Sequence, residues 1–383
     1  VTQEIKKRRI VIASVLKPVD DTRMFEKIGK SLAENYEVHI IGYATTDVVR
    51  SEHIFIHPLP SFPRLSLQRM LIPWKIFAQL LRIKPELLII TTHELLVVGW
   101  LYHLLCKKPL FYDVQENYYR NIRYSDTYPS LIRYLLAHYV SVKEKIIAPA
   151  ISTFLLAEKA YAQEMKFPIG KTLVLENKIK RTDAKPRVRD FHHDDIHFLF
   201  SGTLAESTGV FSAIALFKKI RAAGYPVRLT IIGYCSRQSE LRRLKNMIAE
   251  DTSITLIGGD VLVPHAIIRE SIYAADVGIV AYLPNPSTEN LFPTKLFEYL
   301  GNHLPILMVN QSVWMPVCNL YHAALYLDLS TSKSDIVHHL MDDLKTTSFY
   351  TSSPLHIYWE EEVIRLLDTV KAVLSFEPKG RQG

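Results

Sequence analysis

Residues 293–300 read Pro-Thr-Lys-Leu-Phe-Glu-Tyr-Leu and follow an apolar run, Asp-Val-Gly-Ile-Val-Ala at 276–281, and a polar loop, Tyr282 to Phe292. A helix that opens on proline leaves its first backbone N–H groups free to meet an anion. Lys295 adds a mobile positive charge, and Glu298, one turn on, can accept hydrogen bonds from a diol such as a ribose. Taken singly, Glu298 is a solvated helix carboxylate and Lys295 a surface lysine. Together in this order they read as a holder for a sugar nucleotide.

Other familiar chemistries lack their markers. No Gly-x-Gly-x-x-Gly and no phosphate-binding P-loop follows any strand-like run, and glycine is scarce at 14 residues. Asp20-Asp21, Asp194-Asp195 and Asp342-Asp343 are adjacent pairs, and neighbours on a strand point to opposite faces, so no metal site is expected. His192-His193 beside Asp194-Asp195 reads as a solvated run. Cys106, Cys235 and Cys318 are few, distant and set in or beside apolar sequence, as expected of reduced thiols in a cytoplasmic protein.

The elements that must position these residues show a repeating rhythm. Strands are predicted at Ile10–Val15, Val38–Ile41, Leu87–Ile90, Leu110–Tyr112, Lys145–Ala148 and Thr172–Leu175. Helices are predicted at Met24–Glu34, Leu67–Arg82, Leu131–Val142 and Ser152–Met165. The apolar stretch Leu87–Cys106 has the length of a membrane span, but Thr91-Thr-His-Glu94 interrupts it, giving strand, loop and helix. A basic segment without apolar periodicity, including Lys178, Lys180, Asp183, Lys185 and Arg189, then separates a second alternating series that begins at His197–Phe200. That series runs on to a helix predicted at Ser334–Leu344 and a final amphipathic helix at Pro354–Leu374. The expected division is 1–178, a linker at 179–194, 195–352, and a C-terminal helix and tail at 353–383.

Strands apolar on both faces and separated by helices specify parallel sheets covered on both sides. Two such domains match the 383-residue length, and 48% hydrophobic residues are enough for two sizeable cores. Ligands of open α/β sheets bind outside the carboxyl ends of the strands, so a cleft between two doubly wound domains is the expected site. Lys plus Arg outnumber Asp plus Glu by 46 to 39, which favours anionic partners. The only basic run, Lys6-Lys-Arg-Arg9, is too short to track a nucleic acid, and no nucleic-acid partner is expected. It leads into only a short strand and does not read as a signal peptide.

The order Phe200-Ser-Gly-Thr-Leu204, Gly209-Val210, Ile231-Ile-Gly233, Ala274-Ala-Asp276, Pro293 to Leu300 and Pro305-Ile-Leu307 resembles the retaining, family 4-like glycosyltransferases of the GT-B class. Asp21-Thr-Arg23, Tyr112-Asp-Val-Gln-Glu116 and Leu175-Glu-Asn177 extend the resemblance more loosely into the first domain. It implies a GT-B fold of two doubly wound, Rossmann-like domains facing across a cleft, with the C-terminal helix packing back on the N-terminal domain. It implies transfer of a sugar from a UDP- or GDP-linked donor to a glycan or lipid-linked glycan, with retention and without metal or other cofactor, as in bacterial-type cell-surface polysaccharide synthesis. The donor residues it implies are Gly202, Thr203, Gly233, Asn290, Leu291, Phe292, Pro293, Thr294, Lys295 and Glu298. Catalytic roles fall on Lys295, Glu298, Arg23 and Glu116, and the acceptor side on Asp21, Arg23, His93 and Gln115. Residue by residue, Asp113 and Glu116 serve equally as helix caps, and Arg23 equally as a partner of Asp20 or Asp21.

The chain departs from that pattern at four positions. The earlier of two family acids falls on Asn290, two phosphate-turn cations fall on Thr203 and Thr208, and Gln115 stands where histidine is common. Glutamine hydrogen-bonds a hydroxyl but does not carry a proton. These departures keep two alternatives in view: a silent GT-B subunit that binds a sugar nucleotide or a partner transferase, and a sugar-nucleotide 2-epimerase. The helix Leu67–Arg82 mixes Trp74 and Phe77 with Arg69, Lys75 and Arg82, and Tyr118–Tyr124 repeats the mixture. Packing on the sheet accounts for most of these residues, and peripheral contact with an anionic inner membrane face is the further expectation.

Overall fold

The computed structural model describes residues 7–45, 51–60, 68–124, 129–181, 186–193, 195–286, 288–327 and 335–375. Lys6, Leu67, Asp183, Lys185, Asp194 and Ser334, which figure in the expectations above, lie outside the described residues. The chain forms two compact units, residues 1–180 with 359–383, and residues 181–358.

The first unit begins with β1 (Arg9–Pro18), a π-helical stretch Thr22–Gly29 continuing into α1 (Lys30–Ala33), β2 (Glu37–Tyr43), β3 (Ile54–Leu59) and α2 (Gln68–Ile83). It continues through β4 (Leu87–Ile90), α3 (Leu96–Cys106), β5 (Leu110–Val114), α4 (Tyr118–Arg123), α5 (Ser130–Ile147), β6 (Thr153–Leu156), α6 (Ala160–Glu164) and β7 (Thr172–Val174). All seven strands pair in parallel in the order β3-β2-β1-β4-β5-β6-β7. Ile10 to Val15 and Leu87 to Ile90 are buried throughout, as strands covered on both faces must be.

Three expectations are corrected here. Lys145–Ala148 is not a strand: Ala137, Val140, Glu144 and Ile147 are buried at helical spacing, so the run belongs to α5. The strand lies instead at Thr153–Leu156, inside the expected helix Ser152–Met165, where a four-residue apolar run carries no periodicity to separate the two. Met24–Glu34 starts as a π-helix, with the Asp21 carboxylate accepting from the N–H groups of Arg23 and Met24. Strand β3 had no counterpart among the expected elements.

The second unit comprises β8 (Ile196–Thr203), α7 (Val210–Ala222), β9 (Val227–Tyr234), α8 (Gln238–Ile248), β10 (Ile254–Gly259), α9 (His265–Ala274) and β11 (Val277–Val280). There follow α10 (Thr294–Gly301), β12 (Ile306–Val309), α11 (Met315–Leu320), β13 (Ala324–Leu327) and α12 (Asp335–Thr346). Its parallel sheet runs β10-β9-β8-β11-β12-β13. Arg187 and Arg189, in the segment read as a linker, are fastened to this unit. Arg187 pairs with Asp276 at 2.8 Å, and Arg189 donates to the carbonyls of Ala275, Asn302 and His303.

The last helix, α13 (Glu360–Ser375), starts six residues later than the expected Pro354. It returns to the first unit, where Trp359, Leu366, Val370 and Leu374 join the core of Ile10, Ile12, Phe25 and Ile89. The Trp359 indole N–H donates to Ser31 Oγ at 3.0 Å and its backbone N–H to the Ile179 carbonyl at 2.7 Å. Lys178 pairs with the buried Glu362 at 2.9 Å. Arg181 and Tyr358 are the first and last residues of the second unit, and the Arg181 guanidinium lies 4.5 Å from the Tyr358 ring centre.

Candidate functional site

In the second sheet β8 has β9 on one side and β11 on the other, and the strand order reverses there. Open α/β sheets leave a crevice at the carboxyl end of such a point. Strand β8 ends there in Gly202-Thr203. Gly202 has φ +101°, and its register partner Gly233 has φ +150°. A Cβ on Gly233 would stand 1.7 Å from the Gly202 carbonyl oxygen, so this close approach of two strand ends admits only glycine.

Helix α10 lies over the same strand ends. The Tyr299 hydroxyl accepts from the Ser201 N–H at 3.2 Å and bonds Ser201 Oγ at 2.9 Å. Gly278 of β11 makes the room, because a Cβ there would lie 2.5 Å from the Tyr299 ring. Pro293 occupies the N-cap, one position before the expected first turn, and no side chain caps the helix. Its leading N–H groups therefore remain an anion-binding end.

Lys295 sits in the first turn of α10, only 5% exposed. Its ammonium lies 4.1 Å from the Phe200 ring centre and 5.2 Å from that of Tyr282, and it has no hydrogen-bond partner. A Cβ on Gly202 would come within 3.6 Å of Nζ, so the missing side chain lets the lysine lie against the end of β8. Burial pulls the lysine from its ordinary 10.5 to about 7, with Glu298 acting in the opposite direction. An orphaned buried ammonium beside an uncapped helix end is a site prepared for an anion.

Glu298 is 8% exposed, and its Oε1 bonds His265 Nε2 at 2.7 Å. His265 opens α9 and is half-exposed. Nothing in the sequence around His265 marks it, because the pairing spans 33 residues. The Phe200 ring over Lys295 comes from β8, still further away in the chain, and leaves no local trace either.

The loop before α10 is held from behind. The Leu291 carbonyl accepts from the Trp314 indole at 2.6 Å, and the buried Phe292 ring lies 4.4 Å from that of Phe297. Asn290 is half-buried and Thr294 exposed. Thr203 is exposed at the strand end, while the Thr208 hydroxyl lies 2.7 Å from the Thr203 carbonyl and 2.9 Å from that of Ala205. Thr208 thus closes the turn rather than presenting its hydroxyl to a ligand.

The first-unit residues form a separate group. Arg23 does not pair with Asp20 or Asp21. It is 3% exposed and grips both carboxylate oxygens of Asp113, with further bonds to the Leu175 carbonyl and Asn177 Oδ1. Such a guanidinium is a fixed brace. Asp113 carries no cap, since Asn117 caps α4, and Gln115 spends an amide N–H on Asp113 at 2.8 Å. Glu116 accepts from Asn121 at 3.0 Å and faces Lys17 at 3.8 Å. His93 Nδ1 meets Lys143 Nζ at 3.0 Å, and burial lowers its pKa to about 4, leaving a neutral imidazole at neutral pH. Among the described residues, no three His, Cys, Asp or Glu side chains converge on a possible metal position.

Two Rossmann-like units with parallel sheets, the second carrying this site at its switch point, make the architecture that of a GT-B fold. The chain is similar in structure to sucrose-phosphate synthase from Thermosynechococcus elongatus, with TM-score 0.70 and 13% identity over 97% of this chain and 100% of that one. It is also similar to Anabaena HepE in complex with UDP-glucose, with TM-score 0.65 and 13% identity over 95% and 99% of the two chains. A glycosyltransferase from Rickettsia africae gives TM-score 0.62 at 12% identity over 97% and 100%. No protein-family model and no curated protein matches the sequence.

Proposed function

We propose that this protein is a glycosyltransferase that moves a sugar from a nucleoside diphosphate donor, UDP-linked in the first instance, to a glycan hydroxyl with retention of configuration. The observation that carries the reading is Lys295: a buried ammonium without a hydrogen-bond partner, set between Gly202 and the uncapped start of α10. A diphosphate placed there receives the ammonium and the helix N–H groups, and the Glu298 carboxylate accepts from the ribose hydroxyls. As the bond between the anomeric carbon and the phosphate oxygen breaks, negative charge grows on the leaving group, where fixed donors lower the barrier. The acceptor oxygen bonds the anomeric carbon from the same face, and its proton passes to the departing phosphate oxygen. On the acceptor side we assign Asp21, His93, Gln115 and Glu116, with Arg23 bracing Asp113 behind them.

The solved likenesses support UDP as the first base to test, because HepE was solved with UDP-glucose. Calorimetry with UDP-, GDP-, ADP- and CMP-sugars tests the donor, and product analysis tests turnover. Glu298→Ala should weaken nucleotide binding by about 10- to 100-fold, the worth of hydrogen bonds to a charged group. Unchanged affinity in that variant refutes the ribose role. Tight binding without turnover over a broad acceptor panel favours instead the silent-subunit reading.

A further inference from the structure

Helix α5 is apolar on two sides. Ala137, Val140 and Ile147 face the core, while Leu131, Leu135, Tyr139, Val142 and Ile146 form a second stripe at helical spacing that is exposed, Ile146 to 69%. A stripe of that width normally packs against something. Helix α3 contacts both α2 and α5 and continues the surface with Trp100 and Leu105, and α2 adds Met70 and Trp74. Sixteen of the 26 large apolar side chains exposed among the described residues lie on these three helices. Trp74, exposed on α2, is among the residues that packing on the sheet does not account for. A concentration of this kind marks a contact surface.

Charge identifies the occupant. Helices α2 to α5 carry eight Lys and Arg residues and one acid, Glu144, which is buried on Tyr112. Arg69 and Arg120 are paired with Glu94 and Glu164. Lys75, Arg82 and Lys145 are exposed beside the apolar stripes, as is Lys107 immediately after α3. Two copies of such a face would set like charges against each other. Exposed aliphatic and indole side chains flanked by cations match the boundary of an anionic bilayer, where the apolar groups enter the acyl region and the cations meet lipid phosphates. No helix among the described residues is long and apolar enough to cross a membrane.

We propose that the face formed by α2, α3 and α5 docks on an anionic lipid bilayer. This surface is independent of the nucleotide site, and its test uses no nucleotide. In vesicle flotation at about 50 mM salt, the full chain should float with mixed phosphatidylglycerol and phosphatidylcholine vesicles. It should bind pure phosphatidylcholine more weakly and lose binding at about 500 mM salt. The double variant Leu135→Glu, Ile146→Glu alters only exposed positions, so its thermal unfolding should match wild type while its partitioning falls about tenfold or more. Flotation that is absent at low salt, or equal in the variant, overturns the proposal. So does a concentration-dependent dimer in analytical ultracentrifugation that the double variant abolishes, which would make a second copy the occupant.

Discussion

Replacing Lys295 with methionine keeps the length of the side chain and removes the buried charge. The gap between 10.5 and about 7, at about 1.4 kcal/mol per factor of ten, puts the cost of keeping the ammonium charged at about 5 kcal/mol. Lys295→Met should therefore stabilise the empty protein by up to about 5 kcal/mol below pH 7. Because the folded pKa lies below the unfolded one, the unfolded chain binds more protons between about pH 7 and 10.5, and wild-type stability rises with pH across that window. The advantage of the variant is thus full below pH 7 and gone near 10.5, which urea unfolding at pH 6.5 and 9.5 measures. UDP binding should reverse the balance, since a diphosphate restores the charge. Wild type at pH 7 should take up about half a proton per nucleotide, read by calorimetry in buffers of different ionisation enthalpy, and the variant none. Lys295→Met should also weaken UDP about 10- to 100-fold. A wild-type uptake near zero, or a variant that is neither stabilised nor impaired in binding, refutes the argument.

Glu144 is buried and bonded by the Tyr112 hydroxyl at 2.9 Å, and burial raises its carboxyl from 4.5 to about 7. The folded state therefore binds the extra proton between those values and loses stability as pH rises through them, so Glu144→Gln should stabilise by up to about 3 kcal/mol at pH 8 and not at all at pH 4. Gly233→Ala forces Cβ onto the Gly202 carbonyl and should cost more than about 3 kcal/mol in urea unfolding while displacing the Gly202 turn from Lys295, read as lost UDP binding. Trp359→Ala removes a wholly buried indole and its bond to Ser31, and should cost about 3–5 kcal/mol, with faster amide exchange along α13 as the local readout.

The sequence is readable where periodicity and position act locally. Thr91-Thr-His-Glu94 divides β4 from α3 because polar residues cannot continue a buried strand, and Lys295 and Glu298 fall one turn apart because they share a short helix. It is unreadable where an apolar run is too short to show a period, as at Thr153–Leu156, or where it satisfies helix and strand alike, as at the end of α5. Partners distant in the chain escape for a different reason. Arg23 and Asp113 meet across 90 residues, and His265 and Glu298 across 33, so neither pairing leaves a local trace. The same holds for the burial of Lys295, which depends on Phe200 arriving from β8.

The bond between Ile179 and Trp359 has a consequence for modularity. The second unit enters and leaves the first at adjacent points, so in chain terms it is an insertion whose two attachment residues are neighbours. A loop of any length inserted between fixed neighbours adds an ordering cost that grows only with the logarithm of its length. Excising 181–358 and joining Lys180 to Trp359 through a few glycines would preserve the return of α13 to its own core. The second unit is in this sense a removable cassette, one that can be exchanged or permuted without recutting the domain that receives it.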